Sequence, residues 1–166
     1  MKRTIMLVGL FSLFCGNAVA QRKRSQPPRF EDYRVGERFT GIPAAVDLRS
    51  HPKARLFRTM LREGAKKGPN FAGHYTVVTW GCGSDCRMIA VVDARTGRVY
   101  IAPFTVSPGI GEDFRSDSRL FIANPPERSG FKEGVPMLDV YKPGWHVWHR
   151  GRFVQVYPKE RRCGFC

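Results

Sequence analysis

Apolar positions recur along this chain in two rhythms. Between Lys53 and Arg62 they fall at helical spacing: Leu56, Phe57, Met60 and Leu61 gather on one side, with Lys53, Arg55, Arg58 and Arg62 on the other. This predicts an amphipathic helix laid on a core. Ser50 is placed to cap its start with Pro52 in the first turn, and Gly64, or Gly68 followed by Pro69, ends it. From Phe71 onward, β-branched and aromatic residues run between punctuating Gly, Pro, Asn and Asp, the pattern of strands and turns. Tyr75 to Trp80 and Met88 to Val92 are apolar at nearly every position and predict central strands. Asp93 to Gly97 reads as a hairpin turn into Arg98 to Ala102. Further strands are predicted at Leu120 to Ala123, Met137 to Tyr141, Trp145 to His149 and Phe153 to Tyr157, the last two joined through Arg150 and Gly151. Short connections favour antiparallel neighbours, because a parallel pair needs a long crossover. The expected fold is α+β, one amphipathic helix packed on an antiparallel sheet of six or seven strands, as a single domain over residues 30–166.

The N-terminus follows another pattern. Lys2 and Arg3 precede an apolar run from Ile5 to Cys15, and Ala18-Val19-Ala20 supplies small residues, which predicts a signal peptide over residues 1–20. Phe14 stands directly before Cys15, where a lipid-attachment site uses a small residue. The apolar run is also shorter than the roughly 20 residues of a bilayer span. The protein is therefore expected to be periplasmic or secreted, with no transmembrane span after cleavage. The 146 residues that would remain suffice for one core. Residues 21–29, Gln21 to Arg29, are basic and contain two prolines with almost nothing apolar, and read as a flexible arm.

Charge sharpens the functional expectation. The chain carries 28 Lys and Arg against 14 Asp and Glu, a net +14 that becomes +12 once Lys2 and Arg3 leave with the leader. Such an excess raises encounter rates with polyanions. For an exported protein the expected partner is an anionic envelope component or another envelope protein, and nucleic acid is not expected.

An oxidising compartment predicts disulfides at Cys82, Cys86, Cys163 and Cys166. A local Cys82 to Cys86 bridge, bent by Gly81 and Gly83, would fix the loop that carries Ser84 and Asp85. Cys163 and Cys166 form either a local ring or longer bridges to the first pair, and four cysteines admit three pairings. Their C-x-x-C spacing is also that of thiol-disulfide exchange, which needs a stabilised thiolate. Arg161 and Arg162 would favour one at Cys163, but no helix can follow and the terminal carboxylate opposes one at Cys166. The spacings would fit a four-thiolate zinc site as well, but exported thiols oxidise before they meet metal. His146 and His149 point to opposite faces of a strand and do not converge. No metal or cofactor is expected.

Catalytic chemistry has one candidate set: His74, Ser84 and Asp85 as a hydrolase triad around the Cys82 loop. Ser84 does not stand in a Gly-x-Ser-x-Gly elbow, and a triad is defined by geometry that spacing alone does not guarantee. Glu112 and Asp113 are adjacent acids in a Gly-rich loop and do not make a separated pair. Candidate binding residues are Tyr75, Trp80, Ser84, Asp85, Trp145 and Trp148. The last two belong to a C-terminal aromatic region interleaved with His146, His149, Arg150 and Arg152.

The run NFAGHYTVVTWGCGSDC from Asn70 to Cys86, followed by VVDARTGRVY, resembles a family of small, largely uncharacterised secreted bacterial proteins. That family is marked by a Phe-x-Gly-x-Tyr strand and a Trp-Gly-Cys-Gly-x-x-Cys loop. Ser116 to Leu120 and Trp148 to Val154 are also similar to strands of a β-propeller blade, although the chain is too short for a whole propeller. Neither resemblance implies a reaction. The leading expectation is a non-enzymatic, disulfide-stabilised envelope binding module, and its rival is a small envelope enzyme, hydrolase or thiol-disulfide, centred on the Cys82 to Cys86 loop.

Overall fold

A computed structural model describes residues 26–130, 138 and 141–158. The leader, most of the basic arm, Cys163, Cys166 and most of the expected strand from Met137 to Tyr141 lie outside the described residues.

The apolar runs form strands and pair antiparallel with their sequence neighbours. Tyr75–Gly83 (β1), Cys86–Asp93 (β2) and Val99–Val106 (β3) make one sheet in the order β1-β2-β3. Glu112–Phe114 (β4), Leu120–Ala123 (β5), Gly144–His149 (β6) and Arg152–Tyr157 (β7) make a second, ordered β4-β5-β6-β7. The α+β class therefore holds, but the seven strands among the described residues divide into two sheets instead of forming one. The division falls after Val106, where sequence spacing alone favours continued pairing. There the chain turns through Ser107–Gly111, with Gly111 N–H donating to Ser107 C=O at 2.8 Å and Gly111 at φ +76°. Ser107 N–H donates to the buried Asn124 side chain at 2.9 Å, which fastens this corner to the end of β5.

Alternation along each strand then decides what is buried where. Val77 of β1, Ile89 and Val91 of β2 and Val106 of β3 face the second sheet, meeting Phe121, Ala123 and Trp148 around a fully buried Phe71. Phe71 lies 6.1–6.3 Å, ring centre to ring centre, from Phe114, Phe121, Phe153 and Trp148. The alternate set, Val78, Trp80, Ala90, Val92 and Val99, faces the opposite way and is covered by Ala54, Leu61 and Ala65. The first sheet is thus buried on both sides, which is why β1 and β2 read as near-continuous apolar runs. On the far side of the second sheet, Leu120, Trp145 and Val147 are covered by Phe30 and Tyr33 of a single helical turn, Phe30–Tyr33.

The helix α1 spans Arg58–Ala65 and is shorter than its apolar pattern implies. Residues 51–57 are turns, and Phe57 occupies the N-cap position without a side-chain cap. Ser50 is not the cap. Its hydroxyl donates to Asp47 C=O at 2.6 Å and accepts Val99 N–H at 2.9 Å, tying the preceding turn to β3. Gly64 lies inside the helix and does not stop it. A Cβ there would stand 2.3 Å from Val78 Cγ1, so its missing side chain lets the helix approach β1. Gly68, at φ +80°, turns the chain away. Among the described residues no helix is long and apolar enough to cross a membrane.

Candidate functional site

A concave basin of about 310 Å³ opens where three turns and two chain segments meet. It is lined by Val35, Glu37, Ala72, His74, Tyr75, Arg95, Arg119, Trp148, His149 and Arg150. Each wall is fixed by backbone hydrogen bonding. Phe71 and Tyr75 exchange N–H to C=O bonds of 2.9 Å and close a three-residue loop through Ala72, Gly73 and His74. Ala72 and Gly73 take φ of +45° and +84°, and Gly73 has no room for a Cβ, which would lie 2.4 Å from Glu37 O. The second wall is the Asp93 to Gly97 turn. Gly97 N–H donates to Asp93 C=O at 2.7 Å, Arg95 N–H to Asp93 Oδ1 at 2.8 Å, and Ala94 N–H to His74 C=O at 2.9 Å. The third is the two-residue turn between β6 and β7, where Arg150 and Gly151 both have positive φ, the signature of a type I′ hairpin. Arg119, entering β5, accepts Trp148 N–H on its carbonyl at 2.8 Å and so joins this wall to the floor.

Cationic groups therefore ring the basin. Arg95, Arg119 and Arg150 bring three permanent charges, and Glu37 is the acidic lining residue, 3.8 Å from Arg95. His74 is partly buried and its ring lies 4.1 Å from that of Tyr75. Burial lowers its pKa; Asp93 opposes that shift and Arg95 adds to it. At neutral pH His74 is thus an uncharged imidazole with one donor and one acceptor nitrogen. Trp148, only 3% exposed, lines the wall while Tyr75, Tyr100 and Phe153 pack around it. Strain collects here too. Three non-glycine residues among those described have positive φ, and two of them, Ala72 and Arg150, line the basin.

The expected site residues distribute unevenly. His74, Tyr75 and Trp148 reach the basin together. Ser84 and Asp85 do not: they form the exposed tip of the β1-β2 hairpin, at the opposite end of β1 from His74. A strand rises about 3.3 Å per residue, so nine residues hold His74 roughly 30 Å from Ser84, and the triad of His74, Ser84 and Asp85 is not assembled. Asp85 instead accepts a hydrogen bond from the Tyr141 hydroxyl, which raises the phenol pKa. Cys82 and Cys86 are bridged across this tip, Cα to Cα 5.0 Å. Trp80 and Trp145 are core residues. Trp80 lies beneath Phe57 at 4.7 Å between ring centres, and Trp145 packs edge-on against Tyr157 at 5.1 Å. His146 is buried and stacked on Phe104 at 4.0 Å, while His149 is exposed, on opposite faces as alternation requires. Arg95 and Arg119 were not singled out by the sequence, because a turn arginine carries no signal of what the other turns bring to it.

No family model, curated protein or solved structure matches the chain.

Proposed function

We propose that this protein is an exported, disulfide-braced binding module whose basin receives an anionic group of an envelope component. One observation carries the reading: His74 and Tyr75 from one motif, and Trp148, His149 and Arg150 from the C-terminal aromatic region, converge with Arg95 and Arg119 on a single concavity. Three guanidinium groups suit a carboxylate, sulfate or phosphate, to which each can offer paired N–H donors. The resemblance to small secreted bacterial proteins rests on Phe71, Gly73 and Tyr75, of which Tyr75 lines the basin, and the basic composition favours a polyanionic surface over a neutral partner. The hydrolase form of the rival reading loses its triad of His74, Ser84 and Asp85, since the hairpin carries Ser84 away from His74.

The test is a titration of the isotope-labelled protein with inorganic phosphate, followed by amide chemical shifts. Changes are expected to cluster at residues 72–75, 95, 119 and 148–150, and to flatten when Arg95, Arg119 and Arg150 are replaced by Gln with spectral dispersion retained. Shifts scattered over the surface, or unchanged in that variant, would refute the basin as the site.

A further inference from the structure

We propose that the outer face of α1, together with the turn before it, docks on an anionic lipid bilayer. This surface is separate from the basin, none of whose lining residues falls between positions 51 and 67. Leu56 is 75% exposed and Met60 is 50% exposed, two large apolar side chains four residues apart in water. In the same stretch of chain Lys53, Arg55, Arg58, Arg62, Lys66 and Lys67 are all exposed. From residue 51 to residue 67 the one acidic side chain is Glu63, and Lys66 holds it at 2.7 Å.

The inner side of this element is locked. Leu61 and Ala65 are buried, Phe57 rests on Trp80, and Gly64 is pressed against Val78. The helix therefore cannot roll to bury Leu56 or Met60 without breaking its contact with β1. A rigid cationic surface that also presents apolar side chains discriminates between two kinds of anion. A soluble polyanion neutralises the cations and leaves Leu56 and Met60 in water. An anionic bilayer attracts the cations at the headgroups and takes the two apolar side chains below them, while the Lys and Arg stems lie along the interface.

The experiment is partitioning of the exported, processed protein into vesicles of equal phosphatidylglycerol and phosphatidylcholine, compared with phosphatidylcholine alone. The parent is expected to bind the anionic vesicles and not the neutral ones. The double variant L56S/M60S should bind about tenfold more weakly and keep a cooperative thermal transition, because neither side chain belongs to the buried core. Hydrogen exchange across residues 53–63 should slow on anionic vesicles in the parent and not in that variant. Replacing Arg58, Arg62 and Lys66 by Gln should weaken binding and flatten its salt dependence. Unchanged partitioning of L56S/M60S, with equal binding of parent and variant to soluble polyphosphate, would assign the face to a soluble polyanion and overturn the proposal. Loss of vesicle binding in the Arg95, Arg119 and Arg150 variant, with L56S/M60S unaffected, would move the membrane contact to the basin and overturn it as well. A basin that ignores phosphate while L56S/M60S still loses vesicle binding would leave this inference standing and refute only the anion-receiving role of the basin.

Discussion

Arg150 sets backbone comfort against charge, and replacing it with Asn separates the two. Arg150 occupies the first position of a type I′ turn at φ +49°, with Gly151 following at +78°. A residue with a Cβ pays roughly 1–2 kcal/mol for the left-handed region, a cost that Asn partly relieves, and Asn-Gly is the favoured pair for this turn. Gly151 must stay, since a Cβ there would lie 2.5 Å from the Tyr100 ring. Arg150→Asn should therefore stabilise the fold by about 0.5–1 kcal/mol, a rise of roughly 1–4 °C in melting temperature for a domain of this size. The same change removes one of three guanidinium groups from the basin. At about 6 Å in a largely aqueous setting that charge is worth around 1 kcal/mol, or roughly fivefold in anion affinity, and less as salt is added. Calorimetric melting and phosphate titration on the same sample give both numbers. A less stable variant, or a more stable one that binds phosphate as tightly as the parent, would refute the account of this turn.

Three further outcomes follow from the same structure. Gly64→Ala would gain about 1 kcal/mol from helix propensity at an open site, but here the new methyl meets Val78 Cγ1 at 2.3 Å. Overpacking of about 1–3 kcal/mol should win, giving net destabilisation in urea titration that Val78→Ala partly rescues; a stabilised Gly64→Ala would refute the close approach. His146, buried on Phe104, has its pKa pushed down to about 4 by desolvation. Its contribution is whole above the unfolded value near 6.5 and falls by about 3 kcal/mol as pH drops toward 4, because the unfolded chain takes up the proton first. Glu112, whose pKa burial raises against the opposing pull of Arg87, tilts the same range the other way, so the comparison is with His146→Leu, which should show a shallower acid decline. Glu37→Gln removes the carboxylate beside Arg95 and should tighten phosphate binding about twofold at low salt, a gain that vanishes at high ionic strength if the mechanism is electrostatic.

Local chemistry made much of this fold legible. The Asp93 to Gly97 and Arg150-Gly151 turns announce themselves by residue type, and β5 begins and ends where its four apolar residues do. Leu61 and Phe57 read correctly as inward positions of α1, whereas Leu56 and Met60 share their hydropathy and yet point to water. Nothing in a helical period says that residues 51–57, Leu56 among them, form turns, and Met60, although inside the helix, lies beside the strip of Leu61 and Ala65 that faces β1 and not on it. β4 was hidden because Glu112 and Asp113 look like loop residues; Phe114, stacked on Phe121 at 5.8 Å, is what holds that strand in the sheet. The separation into two sheets was not legible either, since it depends on Asn124 capturing Ser107 across 17 positions of sequence. The basin lies furthest from sequence reasoning. Its arginines belong to connections that become neighbours only after both sheets have packed.

The turn at Phe30–Tyr33 covers the outer side of the second sheet, while α1 covers the outer side of the first. Each sheet therefore carries its own cover on the side turned away from the other, so a substitution at Leu61 and one at Phe30 open different cores.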